Sequence, residues 1–344
     1  MRHAPAILIA LAAAACLAPT CSAQGGRSRG EAPKLEHLIH EEAEFDSAAV
    51  GHAMPYGVYL PLDYHDESAK DKKYPLVIWL HGMWEDHDRF HMRGGGRILD
   101  KAVGDGLVPP CVFVLANGGR TSMYINAGEG KEYQDLIQHD LLDHVQKTYR
   151  VRDERDQRAL MGISMGGMAA MRIAWQHPDL FGTVAVHSSA VFPPDPKQLP
   201  PRLLQLSSRF GLDDVFGNPI DEDLWRATNP LGIAAGLKPA DLHGMRFYFD
   251  AGTDDRWNMG PTNEALHELL EKRKIPHTFE LVKGGGHAWG SGFKDECLET
   301  SLKFVGDMFR GDAVVGSVPA KATAPAGGDA APAAGSNGGS KRDG

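Results

Sequence analysis

The sequence is 344 residues long, 42% hydrophobic, and carries a formal net charge of −9. An acidic chain of this kind argues against nucleic acid or an anionic membrane surface as the main partner. It contains no run of the ~20 apolar residues that a membrane-spanning helix needs.

The first 23 residues read as an export signal. Arg2 and His3 form a short basic start, residues 6–17 are apolar, and Cys21-Ser22-Ala23 offer small side chains for cleavage before Gln24. Lipidation at Cys16, after Ala13-Ala14-Ala15, is the lesser alternative. Export would leave Cys111 and Cys297, expected as single buried thiols. Residues 24–50 read as an N-terminal extension and residues 51–310 as one large domain. Residues 311–344 read as a disordered tail, because Ala, Pro, Gly and Ser without aromatics cannot offset chain entropy.

Within the domain the elements alternate. An N-terminal β region contains "YGVYLPLDY" as its clearest strand. The runs "YPLVIWLHG" and "CVFVLANGG" have the continuous apolar character of strands buried on both faces, with a helix over 97–103 between them. A helix over 132–149 follows, with its stripe at Leu136, Ile137, Leu141, Leu142 and Val145. Next come the strand "QRALMGIS", a helix over 165–176 and the strand "FGTVAVHSS". The rhythm then breaks into a proline-rich excursion over 191–237, before "MRFYFDAGTDD", a helix over 261–274, "HTFELVKGGG" and a helix over 296–309. Such alternation predicts an α/β fold with a mainly parallel sheet covered by helices on both faces. The small irregular excursion falls after its sixth core strand.

The motif G-x-S-x-G at Gly162, Ser164 and Gly166 sits between the predicted strand and helix, the context a nucleophilic serine requires. Ser164 would occupy a sharp, strained turn, and side chains two positions before and after it would collide with their neighbours. In this architecture the acid and the base follow in chain order, each beyond a later strand. His287, in "LVKGGGHAWG", is the only histidine after the last predicted strand; His243, His267 and His277 are not so placed. Asp255 is the chosen acid, at the tip of the loop after "FYFDAG", with Asp254 as the alternative. The oxyanion donors expected are the backbone N–H groups of Met165 and Met83, with Trp84 as the alternative to Met83.

Together "VIWLHGMWED", "ANGGRTSMYIN", "ALMGISMGGMAAMRIAWQHPDLFGTVAVHSS", "AGTDD" and "GGGHAWG" resemble the esterase branch of the α/β-hydrolase superfamily. That branch includes feruloyl and acetyl-xylan esterases, S-formylglutathione hydrolase, siderophore esterases and mycolyltransferases. The resemblance covers residues 51–309. It implies an α/β-hydrolase fold, with Ser164, Asp255 and His287 as triad and Met83 and Met165 as oxyanion donors. It also implies a small-molecule or carbohydrate ester as substrate and no cofactor. Trp84, Trp257 and Trp289 lie near these elements in sequence and are candidates for an aromatic wall, with core packing as the alternative. An acyltransferase with the same triad and an inactive secreted binding module are the competing functions. His81, His87 and His91, interleaved with Glu85, Asp86 and Asp88, raise the question of a metal. Without H-E-x-x-H they read as a solvated charged loop, and no metal is expected.

Overall fold

The computed structural model describes residues 34–199, 211–287 and 295–311. The expected leader with Cys16, nearly all of the expected tail, and Trp289 lie outside the described residues.

Eight strands form one sheet in the order β1-β2-β4-β3-β5-β6-β7-β8. Their ranges are β1 Leu38–Ser47, β2 His52–Pro61, β3 Leu76–Leu80, β4 Val112–Ala116, β5 Arg158–Ile163, β6 Thr183–His187, β7 Arg246–Gly252 and β8 Thr278–Val282. The β1–β2 and β2–β4 pairs are antiparallel; every other pair is parallel. This is the α/β-hydrolase arrangement that the alternating elements imply. The central strands read as unbroken apolar runs because both their faces are covered. Along β3, Leu76, Ile78 and Leu80 enter one core while Val77 and Trp79 enter the other. Each such side chain taken out of water contributes about 1.5–3 kcal/mol.

Helices α1 (Asp88–Met92), α2 (Gly95–Gly104) and the C-terminal α9 (Asp295–Arg310) contribute Phe90, Leu99 and Leu302 to the second core. The first core holds α3 (Leu142–Thr148), α4 (Met165–Gln176) and α8 (Met259–Lys272). α3 continues a π-helical segment, Leu136–Leu141, where the sequence stripe reads as ordinary helix.

Two readings of the sequence change. All ten residues of β1 pair with β2, so the sheet starts well before residue 51 and takes in Leu38–Ser47 of the expected extension. The excursion after β6 is not wholly irregular. It holds α5 (Leu212–Phe216), α6 (Glu222–Thr228) and α7 (Pro230–Ala234) around Trp225, whose ring packs between Phe192 and Phe216 at 5.3 and 4.9 Å. Asp221 and Asn229 cap the last two helices through their side-chain oxygens, a local signal that proline content masked. Cys111 and Cys297 are buried and form no disulfide with each other, and burial pushes the Cys111 thiol up to about 12.

Candidate active site

The turn between β5 and α4 places Ser164 at φ 56° and ψ −115°, a conformation most residues avoid. Neighbouring backbone holds it there. The Ser164 N–H donates to the His187 carbonyl at 2.9 Å, and the Ala190 and Met168 N–H groups both donate to the Ser164 carbonyl at 3.0 Å. The glycines allow this crowding. A Cβ on Gly162 would lie 2.7 Å from the Gly166 backbone, and one on Gly166 would overlap the Leu80 carbonyl oxygen.

Ser164 Oγ lies 2.9 Å from His287 Nε2, and His287 Nδ1 lies 2.7 Å from Asp255 Oδ2. With its Nδ1–H donated to the carboxylate, His287 presents the Nε2 lone pair to the serine hydroxyl. Asp255 and His287 are both buried. The second Asp255 oxygen accepts from the Trp257 N–H at 2.7 Å, so neither oxygen is idle. Asp254 faces the other way, exposed, with its Oδ1 accepting from the Thr253 hydroxyl.

The loops bearing Asp255 and His287 are stitched together by backbone. The Thr253 N–H donates to the Val282 carbonyl, the Asp254 N–H to the Gly285 carbonyl, and the Gly284 N–H to Thr253 Oγ1. A Cβ on Gly252 would strike the Gly285 carbonyl. The glycines before His287 thus serve close packing of two loops.

Met165 is the first residue of α4, so its N–H has no intrahelical acceptor, and Met165 lines a cleft that Met83 also lines. The Trp84 N–H donates instead to the Arg120 carbonyl at 2.6 Å, which removes it as the alternative oxyanion donor. Two residues read as part of a solvated charged loop shape this corner. The buried His81 donates its Nδ1–H to the Gly82 carbonyl at 2.8 Å and accepts from the Gly118 N–H at 3.1 Å through Nε2. Glu85 accepts from the Gly82 N–H at 3.0 Å and pairs with Arg93 at 2.6 Å. Burial lowers the His81 pKa, in keeping with its two neutral-form hydrogen bonds. His87 and His91 turn to different partners, Glu42 at 3.0 Å and the Tyr59 hydroxyl at 2.6 Å.

Ser164 and His287 open onto a cleft with an empty volume of about 810 Å³, partly open to solvent. Phe192, Leu199, Leu212 and Met259 form apolar walls, and Arg93 and Arg256 bring two cations. The Trp84 and Trp257 rings lie 6.5 Å apart in the same cleft, and Trp257 stands edge-on to His287 at 6.4 Å. A second buried network, His187 with Asp250 at 2.7 Å and Ser301 at 3.0 Å, copies the chemical set within the core. No residue of that network lines the cleft.

A family model described as "Putative esterase" matches residues 47–303. Among curated proteins the chain is similar to "Endo-1,4-beta-xylanase/feruloyl esterase" of Xylanibacter ruminicola, 28% identical over 167 residues that cover 47% of this chain and 23% of that one. It is also similar to "Esterase Rv1288" of Mycobacterium tuberculosis, 26% identical over 262 residues that cover 70% of this chain and 54% of that one. The chain therefore spans about half, or less, of the length of these relatives. Among solved structures a ferulic acid esterase superposes with a TM-score of 0.65 at 24% identity, covering 79% of this chain and 99% of that one. That likeness is one of fold.

Proposed function

The chain belongs to the "Putative esterase" family, and on that premise we propose that it is an exported serine carboxylesterase acting through an acyl-enzyme. The observation that carries the reading is the continuous chain from Asp255 Oδ2 through His287 to Ser164 Oγ, at 2.7 and 2.9 Å. In this reading His287 Nε2 takes the Ser164 proton as Oγ attacks the ester carbonyl carbon. Asp255 holds the imidazole tautomer and stabilises the imidazolium that forms. The tetrahedral oxyanion is received by the Met83 and Met165 N–H groups, each donor worth about 3 kcal/mol to the transition state. Collapse returns the proton through His287 to the leaving alcohol, and water then releases the acid by the same route.

Aryl esters or acylated sugars are the substrate class we favour. The tryptophan pair beside His287 supports an aryl group, since a flat ring stacks on either indole. A feruloyl esterase stands among the relatives. We read residues 1–23 as the export signal and residues 35–310 as the catalytic domain.

The test uses the purified chain and its Ser164→Ala variant. A fluorophosphonate adduct on Ser164, with hydrolysis of p-nitrophenyl acetate and methyl ferulate lost in the variant, is the expected result. Equal rates in both proteins and no adduct overturn the reading.

A further inference from the structure

Away from the cleft, three histidine and carboxylate side chains converge in each of two places among the described residues. In one, Glu42, His87 and Asp88 bring their ligand atoms within 4.8 Å of one another. There, however, His87 meets Glu42 through Nε2 while its Nδ1 is buried with no hydrogen-bond partner among the described residues, so no second bond orients that ring as a ligand.

The other cluster is built differently. His267 and Glu271 lie one turn apart on α8 and share a face, while His277 immediately precedes β8. The three ligand atoms again lie within 4.8 Å of one another. His277 is buried and donates its Nδ1–H to the Ile275 carbonyl at 2.7 Å, which leaves the Nε2 lone pair as an acceptor. That lone pair meets His267 Nδ1 at 2.8 Å, and Glu271 Oε1 stands 3.9 Å from the same Nε2. The His267 ring is stacked on Phe279 at 5.0 Å, and Phe249 lies 5.7 Å from His277, so both imidazoles sit on an aromatic floor. A ring held by a backbone carbonyl through one nitrogen, with the other aimed at a second imidazole and a carboxylate, is the arrangement of a metal-ligating histidine.

We propose that His267 Nδ1, His277 Nε2 and Glu271 bind one divalent transition-metal ion of the zinc type. Two imidazoles and one carboxylate favour zinc, cobalt or nickel over calcium or magnesium, and leave the fourth position to water. In the metal-free state His267 donates the Nδ1 proton to His277. Binding moves that proton to His267 Nε2, so both facing lone pairs turn to the ion. Ligand nitrogens about 2.05 Å from a tetrahedral ion stand about 3.3 Å apart, so the rings need to part by roughly 0.5 Å. Glu271 is exposed and free to swing inward.

The site lies at the end of the sheet opposite the cleft. It ties the last turns of α8 to the start of β8, the two elements whose other ends lead to Asp255 and His287. Its role is structural, so its loss appears in stability rather than turnover.

The test uses the full chain, stripped with chelator and carrying no affinity tag, titrated with Co²⁺ and Zn²⁺. One equivalent should bind, with the visible absorption of tetrahedral Co²⁺, and Tm should rise by roughly 5 °C at a hundredfold excess over Kd. His267→Ala and Glu271→Gln, both solvent-accessible changes, should weaken binding by about tenfold or more, whereas His87→Ala should leave it intact. His277→Ala should abolish it if the variant folds. Binding weaker than about 1 mM, or binding lost in His87→Ala and kept in His267→Ala, overturns the proposal whatever the enzyme hydrolyses.

Discussion

Asp254 and Asp255 are consecutive residues whose carboxylates face opposite ways. Asp255 is buried against His287 at 2.7 Å; Asp254 is exposed beside Thr253. Asp255→Asn should therefore lower kcat by about 10³–10⁴-fold through the wrong imidazole tautomer, whereas Asp254→Asn should stay within about twofold. Steady-state kinetics on p-nitrophenyl acetate separates them, and a reversed pattern would assign the acid to Asp254.

The close approach of Gly166 to Leu80 makes a stability prediction. The atom in the way is a backbone carbonyl, which has no rotamer to change. Gly166→Ala should lose about 2–4 kcal/mol in urea unfolding and disturb the Leu80–Met83 corner. Gly244, at φ +76° with open space around it, makes the comparison: Gly244→Ala should lose only about 1–2 kcal/mol.

Glu85 holds the Gly82 amide and so fixes the approach to Met83. Glu85→Ala should lower kcat by about 10–100-fold with KM nearly unchanged, because it loosens a transition-state donor without removing a substrate contact. Glu85→Gln, which retains an acceptor oxygen, should recover part of the loss. A rise in KM at constant kcat would mean that Glu85 contacts substrate instead.

Two histidines predict acid lability. Burial lowers the His81 pKa, and burial with His91 nearby lowers that of His40 to about 4. Below pH 6.5 the unfolded chain takes up protons that the folded chain refuses, so stability is full above that pH. It should decline as pH falls from about 6.5 towards 4. Urea midpoints measured across this window should show the slope, and His40→Gln should flatten it. A flat profile in the parent protein would exclude this contribution.

Much of this architecture is legible in the sequence because some residues have few alternatives. Ser164 between two glycines requires a strand behind it and a helix ahead, since only that turn crowds the backbone enough to exclude Cβ atoms at 162 and 166. Strand alternation likewise forces a parallel sheet. What stays hidden depends on direction. "HGMWEDHD" displays its charges, but nothing in it reveals that His81 and Glu85 both turn to hold Gly82. The Trp84 amide looks available until the loop after β4 brings the Arg120 carbonyl to it. Arg172, wholly buried on α4 with its pKa lowered to about 9, reads in sequence as an ordinary helical arginine. Its guanidinium donates to the Met123 and Tyr124 carbonyls, a contact between segments that local pattern cannot anticipate.

Strand β1, placed at one end of the strand order, has a further consequence for how the molecule behaves in a crowded solution. An outer strand of ten residues has one edge without a neighbouring strand, and such an edge can template pairing with another chain. Its sequence, LIHEEAEFDS, places Glu41, Glu42, Glu44 and Asp46 along that rim. Two copies brought rim to rim would confront each other with like charge. Like charge along an outer strand opposes edge-to-edge pairing of two copies.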